Sequence, residues 1–262
     1  MLGLESKPSS SRSLFLYASA ILAIQKGMKN NHMISDIWQF MKRLLVFILL
    51  VGLVIVVPVP MLFLQHYHFH TGVVIGIAVG YIALYLISIW LAYKAYRSVW
   101  HQPNGKLTKA NWKFIVVSLF EIFAVEIVIG IVAQLLHLPA GSENNQIIYQ
   151  LLASNPIILI LMSLGMVFLT PMLEELVFRG FLIRGVLSWA PSWLAMIISG
   201  IVFSAGHASS NWLSFLVYAA MGVILARVYL KTNRIQDSMT LHFLNNLLAT
   251  IVMVISILGN VH

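Results

Sequence analysis

The chain has 262 residues, of which 60% are hydrophobic and only 9% charged, and its mean hydropathy is +0.91. That is too apolar for a water-soluble domain and implies an all-α fold, a polytopic helical bundle of the cell membrane with the lipid bilayer as its surroundings. There is no cysteine, which excludes disulfides, thiolate metal sites and thiol nucleophiles. The net charge of +8 then belongs to the basic loops of a membrane protein and not to a nucleic-acid-binding surface.

Residues 1–40 read as a leader or interfacial segment. Lys7 and Arg12 precede a short apolar run, Leu14–Ile24, with Ala18-Ser19-Ala20 inside it, the outline of a signal peptide. Such a run is too short to cross a bilayer. A dispensable leader, with Met28 or Met33 as the start, is the simpler expectation. Residues 41–113 form a transmembrane hairpin and a basic inner loop. Its first span, Leu44–Gln65, follows Lys42 and Arg43 and should kink at its outer end, at Pro58 and Pro60. His66, His68 and His70 alternate in the next connection, where an extended backbone would aim three imidazoles the same way; a tight interfacial loop explains them without a metal. The second span, Gly72–Tyr93, carries Gly72, Gly76 and Gly80 at four-residue spacing, a stripe suited to close helix packing. Tyr93, Tyr96 and Trp100 then mark an interface, and Pro103-Asn104-Gly105 a turn.

Residues 114–262 hold the chemistry. The third span, Phe114–Leu136, contains Glu121 and Glu126, about 140° apart around a helix and therefore two separate positions. Each needs a basic partner or a proton. A polar connection, His137–Pro156, leads to the fourth span, Ile157–Leu187. There Pro171 precedes Glu174, and a kink or break is expected to admit water or a peptide carbonyl. Spans five to seven are Trp193–His207, Trp212–Leu230 and Ser238–Leu258. Seven crossings with the N-terminus inside, with room for an eighth element at the break, put all sixteen Lys and Arg on or near the inner side.

In the fourth span, Glu174, Glu175 and Arg179 interrupt an apolar run, at a cost of several kcal/mol each unless they pair or face a wet cavity. Glu175 and Arg179 are an i, i+4 pair with the acid first, the favourable order for an ion pair. Glu174 points about a third of a turn away and stays free for chemistry. The competing reading is one structural ion cluster. Two further patterns stand in other spans, Phe203-x-x-x-His207 and His242-x-x-x-Asn246. A carboxylate, two imidazoles and an amide are what amide hydrolysis requires: an activated water, by base or by metal, and donors for the oxyanion. Glu174 would be base or third metal ligand, His207 and His242 ligands of a divalent ion, and Asn246 a donor. Other hydrolytic designs are missing. There is no His-Glu-x-x-His, the aspartates Asp36 and Asp237 lie outside the spans, and Ser204 lacks a Gly-x-Ser-x-Gly setting.

In order and separation, these three patterns resemble the motifs of the CAAX-protease and bacteriocin-processing (CPBP, or Abi) intramembrane proteases, over Asn144–Leu258. The resemblance implies an intramembrane endopeptidase of metalloprotease type, a glutamate-dependent hydrolase. Its active site would be Glu174, His207, His242 and Asn246, with Glu175 and Arg179 completing the first motif. It implies a peptide or protein substrate, either a bacteriocin or a C-terminally processed, prenylated protein, and a link to bacteriocin immunity. Members are described both as zinc enzymes and as glutamate enzymes without a tightly bound ion, so zinc at Glu174, His207 and His242 stands beside a metal-free mechanism. The rivals are a non-enzymatic self-immunity protein and a proton-coupled transporter, the latter weakened by the lack of an internal repeat. Straight helices would hold His207 and His242 more than about 10 Å apart, so a shared site demands short or irregular helices near Gly200, Gly206 and Pro171.

Overall fold

The computed structural model describes residues 10–66, 69–102, 105–138 and 142–259, with side chains from residue 33 onward except that of His66. Of the alternating histidines, His68 and the His66 side chain lie outside the described residues, as do Pro103 and Asn104. The chain divides into two compact units, Met1–Leu45 and Val46–His262. The first contains the N-terminal part of α1 (Ser10–Val56), where Lys42 lies 5.0 Å from the centre of the Trp38 ring. The second builds the site.

Among the described residues there is no strand, and six helical stretches are long and apolar enough to cross a membrane: Met33–Gln65, Thr71–Val99, Lys109–Leu135, Pro156–Val186, Trp212–Thr232 and Ile235–Gly259. A shorter apolar helix, Ser192–Ala205, is the seventh. The polytopic helical bundle expected from composition is therefore the fold. Asp237, placed outside the spans by its sequence context, sits in the first turn of the last one, held by Arg234 at 3.0 Å and by the Asn111 amide at 2.6 Å.

The elements of the second unit follow in chain order. The end of α1 turns at Val57-Pro58 into α2 (Val59–His66), the kink that proline demands. Next come α3 (Thr71–Val99), α4 (Lys109–Leu135) and α5 (Glu143–Ser154). The fourth span is α6 (Pro156–Leu164), a π-helical turn (Gly165–Leu169), α7 (Thr170–Glu174) and a second π-helical stretch (Glu175–Val186). Then come α8 (Ser192–Ala205), α9 (Trp212–Thr232) and α10 (Ile235–Gly259).

Two expectations need correction here. The His137–Pro156 connection is not merely polar coil. Ser142 accepts from the Asn145 N–H and caps α5, whose Leu151 and Leu152 are buried. At Pro171 the fourth span is irregular, as expected, but it does not break there. The helix continues by widening: the Thr170 N–H reaches back five residues to the Gly165 carbonyl.

The outside of the bundle is apolar, as lipid requires, and its mostly apolar core encloses the ionisable groups of the site. Phe120, Ile127, Leu135 and Val252 are exposed, whereas Glu175, Arg179, Ser199 and Ser204 are fully buried. The stretch α9 is the most enclosed of the spans, with 61% of its apolar window buried against 17% for α3 and α4, and so forms the centre. It meets α8 at a glycine crossing, where a Cβ on Gly200 would lie 2.6 Å from the Ala219 carbonyl and one on Gly222 2.7 Å from the Gly200 Cα. The stripe at Gly72, Gly76 and Gly80 behaves differently from expectation. Nothing among the described residues comes within 4 Å of a Cβ placed there, so no described helix packs closely on it.

Candidate active site

The centre of the site is an ion pair that sequence spacing anticipates. Arg179 Nη1 lies 3.0 Å from Glu175 Oε1, both side chains fully buried. Burying two charges is tolerable only with further polar partners. Arg179 Nη2 donates to the Gly222 carbonyl at 3.3 Å, and its guanidinium lies 4.3 Å from the centre of the Phe203 ring. The glycine crossing of α8 and α9 is what brings that carbonyl within reach. On its other side Glu175 Oε1 meets His242 Nδ1 at 3.0 Å. Arg179, Glu175 and His242 thus form a chain in which each group orients the next.

Glu174 turns the other way. It is 7% exposed, its Oε2 has no hydrogen-bond partner, and His242 Nε2 lies 3.7 Å from that oxygen. His207 follows the end of α8, and its Nδ1 lies 2.9 Å from the Phe203 carbonyl. A carbonyl only accepts, so Nδ1 carries the proton and Nε2 is left as an acceptor. The His207 ring lies between Phe203, at 4.5 Å, and the stacked ring of Tyr218, at 4.3 Å. His242 packs against the edge of the same Phe203 ring at 5.8 Å. Short α8 and an early position on α10 bring the two imidazoles to one phenylalanine ring.

Asn246 is positioned by the π-helical turn. In that register the Met166 carbonyl would pair with residue 171, but proline has no N–H. Asn246 Nδ2 donates to this carbonyl at 2.9 Å instead. One amide hydrogen is spent there, so the donor role read from sequence falls to the remaining one.

Glu174, His207, His242 and Asn246 all line one cavity of ≈ 640 Å³, while Glu175 and Arg179 lie behind its wall. Pro58, Ser142, Asn144 and Asn211, at the span ends opposite the basic loops, form the cavity's rim, and Glu174, Phe178 and His242 its floor. Below the floor the interior is closed by buried Tyr96, Arg179, Phe181 and Tyr229. Ser204 does not belong to the site, because it is fully buried and donates to the Phe215 carbonyl at 2.7 Å.

Several wall residues escaped the sequence reading. Tyr218 gathers the α5 N-terminus, accepting from Ser142 at 2.8 Å and Asn144 at 3.3 Å and donating to Asn145 at 3.1 Å. Tyr85 pairs with Thr170 at 2.8 Å, one turn before Glu174. Tyrosines in apolar spans, spaced to meet polar residues elsewhere, were the available signal. The two glutamates of α4 separate: Glu121 pairs with Arg227, which also donates to Ser118 at 3.3 Å, while Glu126 lines the cavity.

The zinc expectation at Glu174, His207 and His242 meets a geometric obstacle. Both histidines hold their Nδ1 on an acceptor and turn Nε2 away, the pose of ligand histidines. Among the described residues, however, no three His, Asp or Glu side chains come together closely enough to hold an ion. The donor set as arranged does not fit a three-ligand cage.

Comparison with known proteins adds an independent line. The family described as type II CAAX prenyl endopeptidase Rce1-like matches residues 156–248. YdiL of Bacillus subtilis, described as a proposed membrane peptidase, is 31% identical over 105 residues, 40% of this chain and 41% of that protein. Two UPF0177 proteins of Lactococcus lactis are also similar: YbdI, 35% identical over 86 residues (33% of this chain, 45% of YbdI), and YvdC, 26% identical over 152 residues (56% of each). The chain therefore spans about half the length of the curated relatives it matches. No solved structure gives a significant match.

Proposed function

We propose, from the match of residues 156–248 to the Rce1-like CAAX prenyl endopeptidase family, that this chain is an intramembrane endopeptidase in which Glu174 activates the attacking water. The observation that carries the reading is Glu174 Oε2, a buried carboxylate oxygen without a hydrogen-bond partner at the floor of a cavity wide enough for a peptide.

In this mechanism a water sits between Glu174 Oε2 and His207 Nε2. Glu174 takes one proton as the oxygen attacks the scissile carbonyl, and His207 holds the other hydrogen and aims the lone pair. The remaining Asn246 N–H is the donor for the developing oxyanion. Glu174 then passes its proton to the leaving amine. His242, fixed by Glu175 and through it by Arg179, keeps an imidazole edge toward Glu174 and orients that carboxylate. No step is routed through a metal, because the donors do not form a cage for one. The substrate is a peptide or a protein segment within or at the surface of the bilayer. A bacteriocin and a C-terminally processed protein both meet that description.

The test compares membrane proteomes of cells carrying the wild type and Glu174→Gln. Peptides whose processed ends depend on Glu174, at equal protein levels, are the expected result. Identical peptide profiles together with retained immunity in Glu174→Gln would replace catalysis by a binding-only immunity role.

A further inference from the structure

Among the described carboxylates of the spans from α4 onward, all except one have a cationic or imidazole neighbour. Glu121 has Arg227, Glu174 and Glu175 have His242, Glu175 also has Arg179, and Asp237 has Arg234. Glu126 has neither hydrogen bond nor ion pair among the described residues. It is half-buried and lines the same cavity as Glu174. A carboxylate in a low-dielectric wall is costly when ionised and unpaired, and that cost is removed when a cation docks against it.

Its depth matters. Glu126 stands nine residues before the outer end of α4, about 14 Å down at helical rise. Glu174 stands eighteen residues after the outer start of its span, about 27 Å down. By this count Glu126 stands nearer the outer span ends than Glu174 by about 13 Å, the reach of about four extended residues. The rim itself is neutral: Ser142, Asn144, Asn145 and Asn211 offer hydrogen bonds and no positive charge that would compete for Glu126.

We propose that Glu126 is a specificity subsite that binds a lysine, arginine or terminal ammonium of the substrate, about four residues from the scissile bond, in a peptide admitted from the outer rim. This rests on the peptidase reading above, which supplies the location of the scissile bond. The polar rim guides the chain, Glu126 holds its cation, and the floor beside Glu174 receives the peptide bond.

The experiment uses the full chain in lipid nanodiscs. Labelled peptides carry lysine, or isosteric and neutral norleucine, at each position in turn. Binding to Glu174→Gln is read by fluorescence anisotropy, and cleavage by the chain with Glu174 intact is read by mass spectrometry. A narrow window of positions is expected where lysine binds on the order of ten- to a hundredfold tighter than norleucine. Adding Glu126→Gln should bring that ratio to about one with norleucine affinity retained, and Glu126→Asp should keep part of it, which separates a lost subsite from a damaged fold. Absence of peptide binding, absence of lysine preference, or a preference that survives Glu126→Gln overturns the subsite. Lysine-selective binding without cleavage overturns the peptidase reading and leaves the subsite standing. Cleavage without lysine preference does the reverse.

Discussion

The link between Pro171 and Asn246 allows a worked test of how the site is held. Replacing Asn246 with Leu removes the donor to the Met166 carbonyl, now at 2.9 Å, and leaves that carbonyl without a partner beside an apolar part of the cavity wall. An unsatisfied, half-buried carbonyl costs about 1–3 kcal/mol. Pro171→Ala supplies the missing N–H at the position that the π-helical register assigns to the Met166 carbonyl. In the Asn246→Leu background it should therefore recover a large part of that loss. In the wild type, where the carbonyl is already paired, Pro171→Ala should gain little. A double-mutant cycle on unfolding free energy in mild detergent, followed by intrinsic tryptophan fluorescence, is expected to give a coupling of about 1–2 kcal/mol. Additive effects within about 0.3 kcal/mol would refute the claim that Asn246 substitutes for the proline's absent donor. The readout is stability, so the result is independent of any role of Asn246 in turnover.

Three other outcomes follow from the same geometry. Arg179→Ala leaves Glu175 fully buried without its cation, so folded yield in detergent should fall steeply, in line with a loss of about 3–5 kcal/mol, whereas Glu174→Gln should leave yield near normal. Gly200→Val should destabilise the bundle by at least about 1–3 kcal/mol, because its Cβ meets the α9 backbone; Gly76→Ala, with nothing within 4 Å, should be neutral or stabilising by up to about 1 kcal/mol, and chemical denaturation distinguishes the two. Purified wild type should carry less than one equivalent of zinc by elemental analysis and retain peptide cleavage in a strong chelator, since no three described ligands converge; stoichiometric zinc together with activity lost on chelation would contradict this.

How much of the site was legible beforehand can be followed residue by residue. The i, i+4 spacing of Glu175 and Arg179 predicts their contact because a helix converts that spacing into proximity, and the π-helical widening of this stretch preserves it. The same local logic separates Glu174 from the pair. Helix α5 could have been read from Ser142 as a cap and from Ile147, Ile148, Leu151 and Leu152 as one apolar face. The density of Asn and Gln concealed it, and α5 remains helical because its apolar side is buried against the bundle.

Sequence by itself determined what depends on neighbours along one helix or on transfer between water and lipid. Those features are the apolar spans and the ionisable residues whose burial demands a reason. Tertiary structure alone decided which of two equivalent-looking glutamates on α4 would find an arginine and which would face the cavity. It also decided that Gly200 and Gly222 would be used while Gly72, Gly76 and Gly80 would not, and that a carbonyl freed by Pro171 would claim half of the Asn246 amide. The physical reason is that helical periodicity places a side chain on a face, whereas the partner opposite that face is set by how separate helices cross.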